Sequence, residues 1–189
     1  EYTKIKELPS DLIIDGNLRA SKSNLRLMPD GLKVRGSIDL AYAPITTLPT
    51  NLTVGRELRL WKSRIKSLST GLNVGGRLDV SYTNISKLPV NLAVGGDLDL
   101  QRTSIASLPV NLAVGGDLDL QQTSIASLPN GLHVGGDLFL DNSLITSLPN
   151  DLRVDGDLHI SDTPMSRTFT GSSGEFKKLI PGIKGDIYV

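Results

Sequence analysis

Residues 108–128 read LPVNLAVGGDLDLQQTSIASL, and residues 88–108 read LPVNLAVGGDLDLQRTSIASL. Across that period of twenty the two copies differ at one position, Arg102 against Gln122. A catalytic site uses each residue once, whereas a scaffold repeats its residues, so the duplication points to architecture. Laid out at the same period, the whole chain falls into columns. One runs Leu8, Met28, Leu48 and on to Leu148, and the next Pro9 to Pro149 with Ser69 the exception. Leu12 to Leu152 is unbroken, and Ile14 leads into Val34 through Val154. Leu18 to Leu158, Ala20 to Ile160, and Leu25 through Ile145 to Met165 complete six apolar columns. Eight copies run end to end, and a fixed period of this length marks a solenoid.

Within a copy, Leu98-Asp99-Leu100 alternates with period two and predicts a short strand. No helical period fits the unit, and the proline blocks helix continuation. Each copy carries glycine at one or both of two adjacent places, as in Gly95-Gly96 and Gly115-Gly116, which predicts a corner with positive φ or close backbone contact. A phosphate cradle does not fit, since no helix and no Lys-Ser/Thr follows the glycines. A column of small hydroxyls (Ser23, Ser63, Thr83, Thr103, Thr123, Ser143, Thr163, with Ala43 the exception) is expected to satisfy backbone groups at the next corner. One coil alone cannot offset the entropy of ordering its backbone. Stacked coils can, because each buries its neighbours' apolar faces.

The bulk composition agrees with a scaffold. The 189 residues are 39% hydrophobic but only 4% aromatic, so the core is aliphatic. Twenty basic and twenty acidic residues cancel, which argues against a dedicated nucleic-acid or membrane-surface binder. With no cysteine, disulfides, thiolate nucleophiles and zinc–sulfur sites are excluded. No apolar run approaches the ~18 residues a membrane span needs. Two glycosylation sequons, Asn51-Leu52-Thr53 and Asn84-Ile85-Ser86, are short enough to occur by chance.

The run Leu118-Asp119-Leu120-Gln121-Gln122-Thr123-Ser124-Ile125-Ala126-Ser127-Leu128-Pro129 has the form LxLxxTxIxxLP. It resembles a leucine-rich repeat, usually written LxxLxLxxNxLxxLP, with a hydroxyl residue where asparagine is typical. It is similar to the short LP-type repeats of secreted bacterial effectors and to VGGDLDL repeat proteins of bacterial and phage genomes. The resemblance covers residues 5–165. It implies a right-handed, leucine-rich-repeat-like stack of 20-residue coils, a β-rich solenoid that binds other proteins. Some such effectors append a ubiquitin-ligase domain with a catalytic cysteine, for which this chain has neither the cysteine nor the room. Val114-Gly115-Gly116-Asp117 departs from the usual LxxL before the strand, which leaves the coil cross-section open, with a parallel β-helix as the alternative.

Residues 1–165 are accordingly expected to form the solenoid and residues 166–189 a C-terminal cap. In that cap Gly185-Asp186-Ile187-Tyr188-Val189 restores the GDLDL frame as a shortened last coil. Phe169 and Phe176 are expected to cover apolar surface, and Ser172-Ser173 to lie in a mobile loop. The chain enters mid-repeat at Tyr2-Thr3-Lys4-Ile5, which suggests a minimal cap or a missing upstream piece. An uncapped stack end is an edge through which the protein could self-associate.

In a stack, packing fixes the inward columns and information lies in the outward ones. Two zones stand out. Tyr42, Arg59, Trp61, Lys62, Arg77 and Tyr82 gather the only tryptophan and two of four tyrosines with cations, the composition of interface hot spots. Asp97, Asp99, Asp117, Asp119, Asp137 and Asp157 form an acidic ladder. It guards against edge aggregation or receives a basic partner or loosely held cations, with a tight metal site ranked below these. Catalysis is the weakest case: His133 falls in a loop-like column, and His159 could neighbour Phe139 and Asp157 or Asp141 but has no unique serine or cysteine beside it.

The expected function is therefore a non-enzymatic protein–protein interaction scaffold, an effector or a phage-encoded inhibitor of a host protein. Its contact residues would be Tyr42, Arg59, Trp61, Lys62, Arg77, Tyr82, Asp97, Asp99, Asp117 and Asp119, and its partner a protein with a basic region. No nucleic acid, membrane, cofactor or metal is expected, and the location would be the cytoplasm of the bacterium or infected cell, or outside it for a secreted effector. The alternative is a carbohydrate-binding or glycan-cleaving β-solenoid, with Trp61, Tyr42 and Tyr82 stacking on sugars.

Overall fold

The computed structural model describes residues 7–9, 12–169 and 173–189. The chain forms a parallel β-solenoid with two sheets running its length, one of eight strands and one of nine. Each strand is two residues long. The first sheet takes the segments Ile13–Ile14, Lys33–Val34 and so on to Arg153–Val154; the second takes Leu18–Arg19, Ile38–Asp39 and so on to Leu158–His159, then Ile187–Tyr188. Pairing is in register at the repeat period: Leu98 faces Leu78 and Leu118, and Val114 faces Val94 and Val134. Two residues make no ladder alone, so the strands exist only through the stack.

The strand predicted at the LxL positions is the second sheet. The first sheet, on the Ile13 to Arg153 column, departs from the sequence reading, which gave each coil one strand and placed His133 in a loop. His133 is on a strand. Its column reads Ile, Lys, Thr, Asn, Ala, Ala, His, Arg and carries no β signature, because those side chains face outward and only their backbones pair.

The aliphatic columns form one continuous core. Leu98, Leu100, Ile105, Leu118, Leu120 and Ile125 are each fully buried. Between the sheets the Gly-Gly corner works by close approach rather than by positive φ. The Gly95 and Gly115 amides donate to Val74 and Val94 carbonyls at 3.0 Å, and a Cβ on either glycine would overlap the carbonyl of the glycine one coil earlier. Positive φ occurs elsewhere, at the column Gly31, Asn51, Gly71, Asn91, Asn111, Gly131, and at the column Lys22, Tyr42, Lys62, Tyr82, Arg102, Gln122, Asn142, Asp162. The hydroxyl column acts on the backbone as expected. Thr83, Thr103 and Thr123 donate to the carbonyls three residues back, while Ser63 and Ser143 accept from Ile65 and Ile145. Among the described residues no buried side-chain nitrogen or oxygen lacks a partner.

At the C-terminal end, Thr163 caps α1 (Pro164–Thr168) through a reciprocal pair of bonds with Ser166, and α2 (Ser173–Leu179) follows. Phe176 of α2 is buried, and its ring meets Phe169 edge-on at 4.7 Å. The frame GDLDL does return, with Ile187 facing Leu158 and Tyr188 facing His159. The last coil is not shortened, however. Its register step is 29 residues instead of 20, because the two helices are inserted in it. The expected loop at Ser172–Ser173 falls partly outside the described residues, and Ser173 itself opens α2. The reading of Tyr2–Ile5 lies wholly outside them. None of the described helices is long and apolar enough to cross a membrane.

Candidate functional site

The outward face of the second sheet carries the sequence-selected residues on neighbouring coils. Trp61 sits between small residues of the same column, Ala41 and Ser81, both buried, which leaves room for the indole. Tyr42 and Tyr82 meet it edge-on, with ring centroids at 4.8 and 6.3 Å. The Lys62 ammonium stands 4.6 Å from the Trp61 ring, 5.2 Å from Tyr82 and 5.8 Å from Tyr42. Two residues missed by the sequence reading extend the group: Lys22 lies 5.5 Å from Tyr42, and Arg102 lies 5.1 Å from Tyr82. The edge column thus alternates cation and ring over five coils, Lys22, Tyr42, Lys62, Tyr82, Arg102. The alternation was visible at period twenty. The backbone bends through positive φ at each member of this column from Lys22 to Asp162, so the turn is scaffold and the side chain it raises is the variable part.

Beside this band runs an open polar groove lined by Glu57, Arg59, Trp61, Arg77, Asp79 and Asp99, among others. Arg59 lies 3.7 Å from Glu57. Arg77 is 2.7 Å from Asp99 and 3.8 Å from Asp97. The structure therefore brings Trp61, Lys62 and both tyrosines together, and joins Arg77 to the first aspartates of the ladder.

The ladder itself is two structural devices. In its first column Asp97 accepts the Asp117 amide at 3.1 Å, Asp117 that of Asp137 at 2.8 Å, and Asp137 that of Asp157 at 2.7 Å. In its second column Asp99 and Asp119 fold back on the amides of Gln101 and Gln121, at 3.1 and 2.9 Å. Each of these carboxylates thus holds a backbone amide through its Oδ1. Burial pushes the Asp119 carboxyl up to about 6; the Gln121 amide opposes this, and the charges of Asp99 and Asp141 add to it. Asp99 is raised as well, by burial first and the Asp79 charge second, with Arg77 pulling the other way.

The histidines lie apart. His133 Nε2 is 3.2 Å from Asp155, which also pairs with Lys184 at 2.7 Å. The Lys184 hydrogen bond is the main reason the Asp155 carboxyl is held below its usual range. His159 is stacked between Phe139 and Tyr188 and close to Asp137 and Asp157.

Compared with known proteins, the chain matches no protein-family model and no curated protein sequence.

Proposed function

We propose that the protein is a non-enzymatic binding scaffold that holds a partner protein on the outward face of its second sheet. The observation that carries this reading is the juxtaposition of two surfaces: the Tyr42–Trp61–Tyr82 cluster with its cations, and the half-buried carboxylates Asp99 and Asp119. Aromatic rings with adjacent arginine and lysine supply contact area at small entropic cost. Carboxylates that burial has pushed up are relieved when a cation approaches, which selects a partner with a basic region. The leucine-rich-repeat resemblance points the same way, toward an LP-type protein of bacterial or phage origin acting as an effector or inhibitor.

Carbohydrate binding is less well supported. A sugar needs an open ring face, and Lys62 already stands over Trp61 at 4.6 Å while both tyrosines contact the indole. The discriminating experiment is affinity capture from the source cells with intact protein, Trp61→Ala and Asp99→Asn/Asp119→Asn. A specific protein lost with the first variant and weakened with the second supports the scaffold. Capture of glycans, or unchanged capture by both variants, contradicts it.

A further inference from the structure

At the C-terminal end of the second sheet, one carboxylate oxygen from Asp137, one from Asp157 and a ring nitrogen of His159 lie within 4.8 Å of one another. This set differs in kind from the rest of the acidic ladder, because it adds an imidazole nitrogen to carboxylate oxygens. Position 159 is the only histidine in its column, whose other members are Arg19, Asp39, Arg59, Asp79, Asp99, Asp119, Phe139 and, in the last coil, Tyr188.

Each of the three donors is held by its own contact. Asp137 accepts the Asp157 amide at 2.7 Å and Asp157 accepts the Asp186 amide at 2.8 Å, so each carboxylate is anchored through its Oδ1. The His159 ring is clamped on both faces, by Phe139 at 4.6 Å and 24° and by Tyr188 at 4.5 Å and 10°. That sandwich fixes the ring plane while one ring nitrogen lies within 4.8 Å of both carboxylates. The Tyr188 phenol hydrogen-bonds to the Asp157 carboxylate. Outer hydrogen bonds of this kind orient the ligands of metal sites.

From this geometry we propose that Asp137, Asp157 and His159 bind one divalent transition-metal ion, with zinc the best match. A mixed imidazole–carboxylate set suits zinc and its first-row neighbours, whereas calcium and magnesium prefer oxygen alone. Three protein ligands leave a coordination position for water or for a donor from a bound molecule. The neighbouring carboxylates of Asp97 and Asp117 raise the local cation concentration. This site stands independently of the partner-binding surface at Trp61.

The test is calorimetric titration of zinc into the chelator-treated full chain, with two variants chosen to keep the scaffold. His159→Phe retains the ring stack and removes the nitrogen; Asp137→Asn retains the acceptor for the Asp157 amide and removes the charge. The intact protein should bind one zinc per chain, and each variant should bind at least about tenfold more weakly. His133→Asn, which removes the other histidine, should bind as the parent does. Should either site variant unfold, imidazole NMR of the intact protein takes its place, and the His159 ring signals should shift on zinc addition while those of His133 stay put. Absence of saturable binding, parental affinity in His159→Phe, or a shift of His133 instead would overturn the proposal.

Discussion

Arg77 Nη2 donates to Asp99 Oδ2 at 2.7 Å, and at that bond the outward face of the second sheet changes character. No lysine or arginine follows Arg77 in the three outward columns of this sheet, those that contain Arg77, Asp79 and Ser81; the later members are Asp, Ser, Gln, Phe, His and Tyr. The next carboxylate of the same column, Asp119, has no ion pair among the described residues, and burial pushes it up to about 6. Of the three stacked acids Asp79, Asp99 and Asp119, the arginine therefore pairs with the middle one and leaves Asp119, raised chiefly by burial, without a cation bonded to it.

That difference has a pH signature. In the folded protein Asp119 holds its proton up to about 6, against 3.8 for the ordinary carboxyl. Its ionised form consequently costs stability, fully above that folded value, and the cost fades as pH falls toward the unfolded one. Asp119→Asn keeps an acceptor for the Gln121 amide and removes the charge. Thermal melts of the variant should exceed the parent's at pH 7.5, and the advantage should vanish by about pH 4. Asp99→Asn should gain less, because it also gives up the Arg77 pair.

The first-column aspartates should behave as backbone anchors. Asp117→Ala leaves the Asp137 amide without its side-chain acceptor and should cost about 1–2 kcal/mol in denaturant unfolding. Asp117→Asn should recover most of that loss. Equal stability of the alanine variant and the parent would show that charge, not the hydrogen bond, keeps aspartate in this column.

The repeat that exposed the fold also predicts a deletion. Removing residues 103–122 joins Arg102 to Thr123, keeps every column in register and leaves Arg102 beside Tyr82. The product should fold with the same circular dichroism signature, one strand fewer in each sheet, and a proportionately smaller denaturant slope. A collapsed or helical product would mean that the coils are not interchangeable.

The solenoid was legible because its inward columns are packing positions, and packing repeats the same aliphatic residue at each turn of the coil. Val94 and Val114 were readable as core, yet the strand they end was not, since Ala93 and Ala113 face solvent and a two-residue pairing leaves no alternation to detect. The positive φ at Lys62 or Gln122 had no signal in its residue type, whereas the restriction to Asn and Gly at Asn51, Gly71, Asn91, Asn111 and Gly131 did carry one. At the candidate site, the contact of Trp61 with Tyr42 and Tyr82 followed from the period alone, because residues nineteen to twenty-one apart lie on adjacent coils. The backbone bonds of Asp97 and Asp117 did not, since a column of like charges reads as a surface until its amide partners are placed.

The most direct test of the central claim is site-specific photo-crosslinking in extracts of the source cells. A crosslinker is placed on the proposed face at position 61, and in a second sample at position 113, on the outward side of the first sheet. The scaffold account predicts one discrete protein adduct from position 61, weakened by Asp99→Asn/Asp119→Asn and missing from position 113. Adducts of equal yield at both positions, or at position 113 alone, would contradict it.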